Sequence, residues 1–191
     1  MKIWTIWIAL LLGFLGAPGV QGVHASDSLE TATFAAGCFW GTEEFFRKIP
    51  GVLKTRVGYE GGKAPASYDQ VSAGKTGHAE SLEIKFDPKK ISYRDLLILF
   101  FKIHDPTTPN RQGNDHGSQY RSAIFYHSEQ QKKTAQDVIK KVTASGKWMK
   151  PIVTEVNSYG EFWNAEDYHQ KYLVKHPTGY TCHFYRNFEF E

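Results

Sequence analysis

An α+β domain of two layers, a mixed sheet with helices packed on it, is the fold class this sequence predicts. Three observations carry the prediction. Short runs rich in β-branched and aromatic residues, at 31–36, 52–59, 80–86 and 122–127, alternate with amphipathic stretches. Pro50-Gly51 and the glycines at 58–62 punctuate them. The alternation has no steady parallel βαβ period and no internal repeat, which favours a mixed sheet over a doubly wound one.

Each element follows from its own residues. Lys2, an apolar run over 3–15, the break at Pro18-Gly19 and the small-residue site Val23-His24-Ala25 read as an export signal cleaved before Ser26. That run is shorter than the roughly 20 residues a spanning helix needs, so no stable membrane association is expected after cleavage. Residues 26–191, 166 in all, then form one domain large enough to bury a real core. Residues 31–36 read as a strand, Gly37 as a turn, and 38–49 as a helix stopped by Pro50-Gly51. Strands over 52–59 and 80–86 follow, joined by a loop rich in glycine and tyrosine. Ser92 with Asp95 forms a capping box for a helix containing Leu96, Leu97, Leu99, Phe100 and Phe101. A long loop over 104–119 precedes a strand at 122–127, and a loop of that length inside a compact domain usually has a function. Ser128 and Gln131 open a polar helix that ends at Gly146; 152–156 reads as a strand, Asn164 as the cap of a last helix through Val174, and 176–191 as coil.

Charge and cysteine content narrow the function classes. The formal net charge of +3 falls to +2 without Lys2, and no run of like charge exceeds Lys132-Lys133 or Lys140-Lys141. Nothing in that balance calls for nucleic acid. Cys38 and Cys182 are the only two cysteines and stand 144 positions apart with no CxxC pair, which disfavours zinc. In an exported chain they are open to two readings, a structural disulfide or a redox pair. On the chain-entropy model a bridge closing so long a loop stabilises a fold by about 5 kcal/mol.

The stretch "AAGCFWGTEE" places Cys38 at the start of a helix, where unpaired backbone N–H groups and the helix dipole lower a thiol's pKa and favour thiolate at neutral pH. Burial as a small hydrophobe is the competing reading. Phe39 and Trp40 cannot both face the core along with Phe45 and Phe46, so one or both can wall an apolar pocket suited to a methyl group or thioether. Tyr59, Tyr68, His78 and Glu80 cluster around the 60–79 loop. Glu80, if partly buried, has a raised pKa and can donate a proton at pH 7; an exposed strand glutamate is the alternative. Asp115, His116 and Tyr120 make the loop "RQGNDHGSQYR" more polar than a mere connection requires.

Five segments, "GCFWGTEE", "GYEGG", "TGHAE", "HDPTTPNRQGNDHGSQYRSAIFY" and "GYTCHF", together resemble the A-type peptide methionine sulfoxide reductases over nearly the whole mature chain. Such enzymes reverse the oxidation of methionine, one enzyme per sulfoxide epimer. The resemblance implies a ferredoxin-like core with a coil-rich C-terminal tail. It implies Cys38 as the nucleophile on the sulfoxide sulfur, Phe39 and Trp40 around the substrate methyl, and Glu80 as proton donor to the oxygen. Tyr68 and Tyr120 become further donors, Asp115 an acidic partner in the same pocket, and Cys182 the resolving thiol. It further implies thioredoxin-like recycling, no metal or organic cofactor, and an expected monomer acting on free or protein-bound sulfoxide in the periplasm or outside the cell. The tail departs from the GYCG form with a third cysteine found in many relatives, and implies the shorter relay, Cys38 bridged directly to Cys182. Two other functions fit single features. One is a cysteine hydrolase or acyltransferase, with Cys38 paired to His78 or His116 and oriented by Asp115. The other is an aromatic-lined binding module, prompted by the 15% aromatic content.

Overall fold

The computed structural model describes residues 28–190, so the export signal expected at 1–25 lies outside the described residues. In chain order the elements are β1 (Glu30–Ala36), α1 (Phe39–Phe46), β2 (Val52–Glu60), α2 (Tyr68–Ser72), β3 (Ala79–Phe86), α3 (Tyr93–Ile103), β4 (Arg111–Gln112) and β5 (Asp115–His116). A 3-10 turn at Ser118–Tyr120 leads to β6 (Ser122–Tyr126), α4 (Glu129–Ala144), β7 (Glu155–Ser158), β8 (Trp163–Asn164) and α5 (Tyr172–Lys175). Six strands form one sheet in the order β7-β6-β1-β3-β2-β8. Every pair is antiparallel except β6 with β7, which makes the sheet mixed. The four central strands, with α1 and α3 as crossovers, have the ferredoxin-like order that the resemblance implies.

Alternation along the central strands decides what faces the helices. Ala32, Phe34 and Ala36 of β1 and Leu82, Ile84 and Phe86 of β3 point into one core with Phe39 and Phe46 of α1, Leu96, Leu97 and Phe100 of α3, and Ala135, Val138 and Val142 of α4. Burying each large side chain contributes roughly 1.5–3 kcal/mol, so pairing Phe34 opposite Leu82 fixes the register firmly. Glu80 has the same parity as Leu82 and is therefore carried inward, under the start of α1. The opposite face holds a small cluster of Ala35, Ala79, Ala123 and Phe125, and Arg56 grips Glu83 through two bonds of 2.7 and 2.8 Å.

Four boundaries differ from the sequence reading, each for a tertiary reason. The helix after Cys38 ends at Phe46 rather than 49, because Ile49 bonds back to Phe46 and Val52 to Ile49 in a turn into β2. Short α2 falls where a loop was expected; Ser67 and Gln70 cap it reciprocally. The strand expected at 152–156 is shifted to 155–158, since the Val153 N–H bonds to Pro106 instead of to a sheet neighbour. The last helix does not run from Asn164. Asn164 pairs with Gly58 in β8, the Gln170 amide bonds both backbone groups of Val57, and Lys171 takes a left-handed turn before the short α5.

Candidate active site

Gly37 turns the chain from β1 into α1 with a φ of +93°, a conformation only glycine adopts without strain. A Cβ there would come within 2.5 Å of the Gln112 side chain. Gln112 in turn bonds both backbone groups of the Asp105 peptide region and clamps the 104–119 loop against the turn. Cys38 is the N-cap of α1 without a side-chain capping bond, and the nearby Trp40 backbone N–H favours its thiolate. The helix-start position is thus as expected, but its consequence for the thiol is not. Burial, then Glu80, and more weakly Cys182 and Asp115, push the Cys38 pKa well above that of an ordinary thiol. One nearby N–H does not offset removal from water beside acidic groups. Cys38 rests as a neutral thiol at pH 7, a correction to the thiolate expectation.

A cavity of about 170 Å³ opens above that sulfur, lined by Cys38, Phe39, Trp40, Tyr68, Glu80, Asp115, Tyr120 and Tyr180. Six segments meet there: the start of α1, α2, β3, β5, the 3-10 turn and the C-terminal coil. All seven residues expected around the substrate line it, and Tyr180 joins them. Glu80, 2% exposed, accepts the Phe39 N–H at 3.1 Å. Its pKa is raised to about 8, chiefly by burial and further by Asp115, against the lowering from that N–H. At pH 7 the carboxyl therefore carries a proton. Burial, followed by the Glu80 charge, also holds Tyr68 and Tyr120 above the ordinary phenol range, which keeps both hydroxyls as donors.

The walls are braced from behind by the segment 165–172. The Trp40 indole N–H donates to His169 Nδ1 at 2.9 Å, and the Trp40 ring stacks on Tyr172 with centroids 3.7 Å apart. His169 also packs on Phe39 and Tyr68 at 5.0 and 4.5 Å. Glu166 accepts the Tyr68 N–H at 2.9 Å and the Tyr59 hydroxyl at 2.8 Å. These braces escaped the sequence reading because AEDYHQKY looks like an ordinary amphipathic helix, although Glu, His and Gln together in one turn is the signal that marks them. Tyr180, also missed, donates to Asp115 Oδ1 at 2.9 Å.

Cys182 lies just outside the cavity, with its sulfur near the Cys38 N–H and facing Asp115. Burial, then Asp115, pushes its pKa up to about 12. Both cysteines are free thiols, and the fold around them is complete without a bridge. The hydrolase reading loses its base: neither expected imidazole lines the cavity. His78 is buried against Gly62 with both ring nitrogens unpartnered among the described residues, and His116 is exposed on β5. No group of three or more metal-binding side chains occurs among the described residues.

Comparison with known proteins agrees with this geometry. The model of the family "Peptide methionine sulfoxide reductase" matches residues 30–190. Peptide methionine sulfoxide reductase MsrA 2 of Rhodopirellula baltica is 57% identical over 158 residues, covering 82% of this chain and 92% of its own. The enzyme of Leifsonia xyli is 56% identical over 158 residues, covering 82% and 91%. Among solved structures, reduced Mxr1 of Saccharomyces cerevisiae superposes with a TM-score of 0.77 at 41% identity, covering 83% of this chain and 93% of that one. Mxr1 in complex with Trx2 superposes with a TM-score of 0.58 at 29% identity, covering 88% and 97%. With residues 30–190 matched, the chain belongs to the peptide methionine sulfoxide reductase family and is an oxidoreductase that reduces methionine sulfoxide by thiol chemistry.

Proposed function

We propose that Cys38 attacks the sulfur of an S-epimer methionine sulfoxide, free or within a protein, while Glu80 protonates the departing oxygen. The observation that carries this reading is a protonated carboxyl and a thiol lining one cavity too small for more than a side-chain tip. A sulfoxide oxygen leaves poorly without a proton, and Glu80 is charged with one at pH 7. As Glu80 gives its proton to oxygen, the Cys38 thiol proton replaces it on the carboxylate. Oxygen passes from methionine to Cys38, giving a sulfenic acid and free thioether. Phe39 and Trp40 hold the methyl by dispersion and area burial, and Tyr68 and Tyr120 donate to the same oxygen. Asp115, beside both sulfurs, favours the neutral form of each.

Cys182 then attacks the Cys38 sulfenic acid, releasing water and forming the disulfide. A dithiol protein of thioredoxin type restores both thiols by exchange. Half-exposure of Cys182 gives that donor access, and the yeast relative was crystallised with Trx2. The reading requires no metal or organic cofactor. We assign export and cleavage near Ser26 on the composition of residues 1–25, and action as a monomer outside the cytoplasm; among the described residues no helix is long and apolar enough to cross a membrane. Mass analysis of the secreted chain checks the cleavage point.

Thiol titration without reductant tests the chemistry. One equivalent of S-epimer substrate should consume two thiols per methionine formed in the native enzyme and none in Cys38→Ser. Methionine formation by Cys38→Ser at the native rate would refute the assignment.

A further inference from the structure

We propose that His183 is the base of the resolving step, its Nδ1 accepting the Cys182 S–H and taking that proton as the disulfide forms. The proposal rests on the relay described above and names the group that sets the pace of its second half. His183 follows Cys182 directly, yet it is 7% exposed and driven in between β1 and α1. Its Nε2 lies 2.7 Å from the Ala36 carbonyl oxygen, which can only accept, so Nε2 carries the hydrogen. Thr42 Oγ1, 3.2 Å from the same nitrogen, spends its own hydrogen on the Cys38 carbonyl and offers only a lone pair. In the neutral ring Nδ1 is therefore a bare acceptor, and it stands 3.6 Å from Cys182 Sγ.

The fold makes room for this contact. Gly41, one turn into α1, has no side chain where a Cβ would fall 2.4 Å from His183 Nδ1 and 2.3 Å from Thr181 Oγ1. The groups that face His183 keep it neutral. Burial lowers its pKa to about 4, with Arg186 acting in the same direction and Ala36 and Asp115 opposing. His104, itself buried, interacts with it but remains uncharged at neutral pH. An acceptor that stays empty above pH 5 is available whenever Cys38 has been oxidised.

A thiol whose pKa is about 12 holds almost no thiolate at pH 7, so its proton must leave during attack rather than before it. The Cys182 sulfur forms the S–S bond with its electron pair and is oxidised. The Cys38 sulfur is reduced as its S–O bond breaks. The proton moves from Cys182 to His183 Nδ1 and on to the departing hydroxyl, which leaves as water. Asp115 faces the imidazolium that exists in passing. His183 ends neutral, and atoms and electrons balance.

The test uses His183→Gln, whose amide N–H can still reach Ala36 while the acceptor beside sulfur is lost. In a single turnover without reductant, methionine release and disulfide closure are followed separately by rapid quench, with a 1,3-diketone trapping sulfenic acid. The expected result is an interval between release and closure lengthened about 100-fold relative to the native enzyme, with sulfenic acid accumulating. The native closure rate should be flat between pH 5.5 and 7.5, whereas closure in the variant should rise about tenfold per pH unit, because it must then wait for thiolate. A displaced tail alone would slow closure without changing its slope, and a flat slope in His183→Gln overturns the proposal. So does a slope that appears in Asp115→Asn and not in His183→Gln. Absence of methionine release from the native enzyme would instead refute the proposed function.

Discussion

Glu80 shows how one buried side chain serves chemistry at a cost to stability. Its folded pKa of about 8 exceeds its unfolded value, so between pH 4.5 and 8 the native state holds a proton that the unfolded chain releases. Stability therefore falls as pH rises through that window. From pH 6.5 to 8 the Glu80 contribution alone lowers stability by about 2 kcal/mol. Glu80→Gln should cut turnover by roughly 10²–10⁴. The same variant should lose less melting temperature than the native enzyme between pH 6.5 and 8, read by calorimetry at both values. Near-native turnover in the variant would end the proton-donor assignment. The position of Glu80 was legible in the sequence from strand parity and the neighbouring motif. The state of Cys38 was not, because a helix start is a local feature, whereas burial and the carboxylates that oppose it come from β3, β5 and the tail.

At the scale of elements, α1 is a junction. It presents Phe39 and Trp40 to the cavity, and its Glu43 accepts Thr55 of β2 and the Lys171 N–H, both at 2.7 Å. Its Gly41 receives the tail. Alanine is the better helix former by roughly 1 kcal/mol, so Gly41→Ala would strengthen an isolated helix. Here it should instead lower stability by about 1–3 kcal/mol through overpacking against Thr181 and His183, and slow disulfide closure; chemical denaturation and rapid quench read the two effects. Elements with local signals were readable: the Ser92–Asp95 capping box starts α3 where expected, and Ser128 starts α4. Those whose partners are distant were not. β8 has no pattern of its own, and the helical pattern of 165–172 misleads, since what holds both is the edge of β2, more than 100 residues earlier in the chain.

For the whole molecule, two carboxyls and several imidazoles set opposite limits on pH. Glu60, at about 7, and Glu80, at about 8, weaken the fold as pH rises. His104, at about 3, and His183, at about 4, are held neutral by burial, so the unfolded chain takes up protons first as pH falls below 6.5 and stability drops on that side. Melting temperature plotted against pH should pass through a maximum, with an acid limb shallower in His104→Gln and an alkaline limb shallower in Glu60→Gln. The sheet and the tail also differ in their tolerance of insertion. One extra residue ahead of Glu80 within β3 would turn its carboxyl to the solvent face and extinguish the acid, leaving the thiol beside a greasy wall. The coil that bears Cys182 has no pleat to violate, so residues can be added on either side of its 181–183 anchor without turning a side chain over, while the oxygen-accepting end stays locked by the sheet.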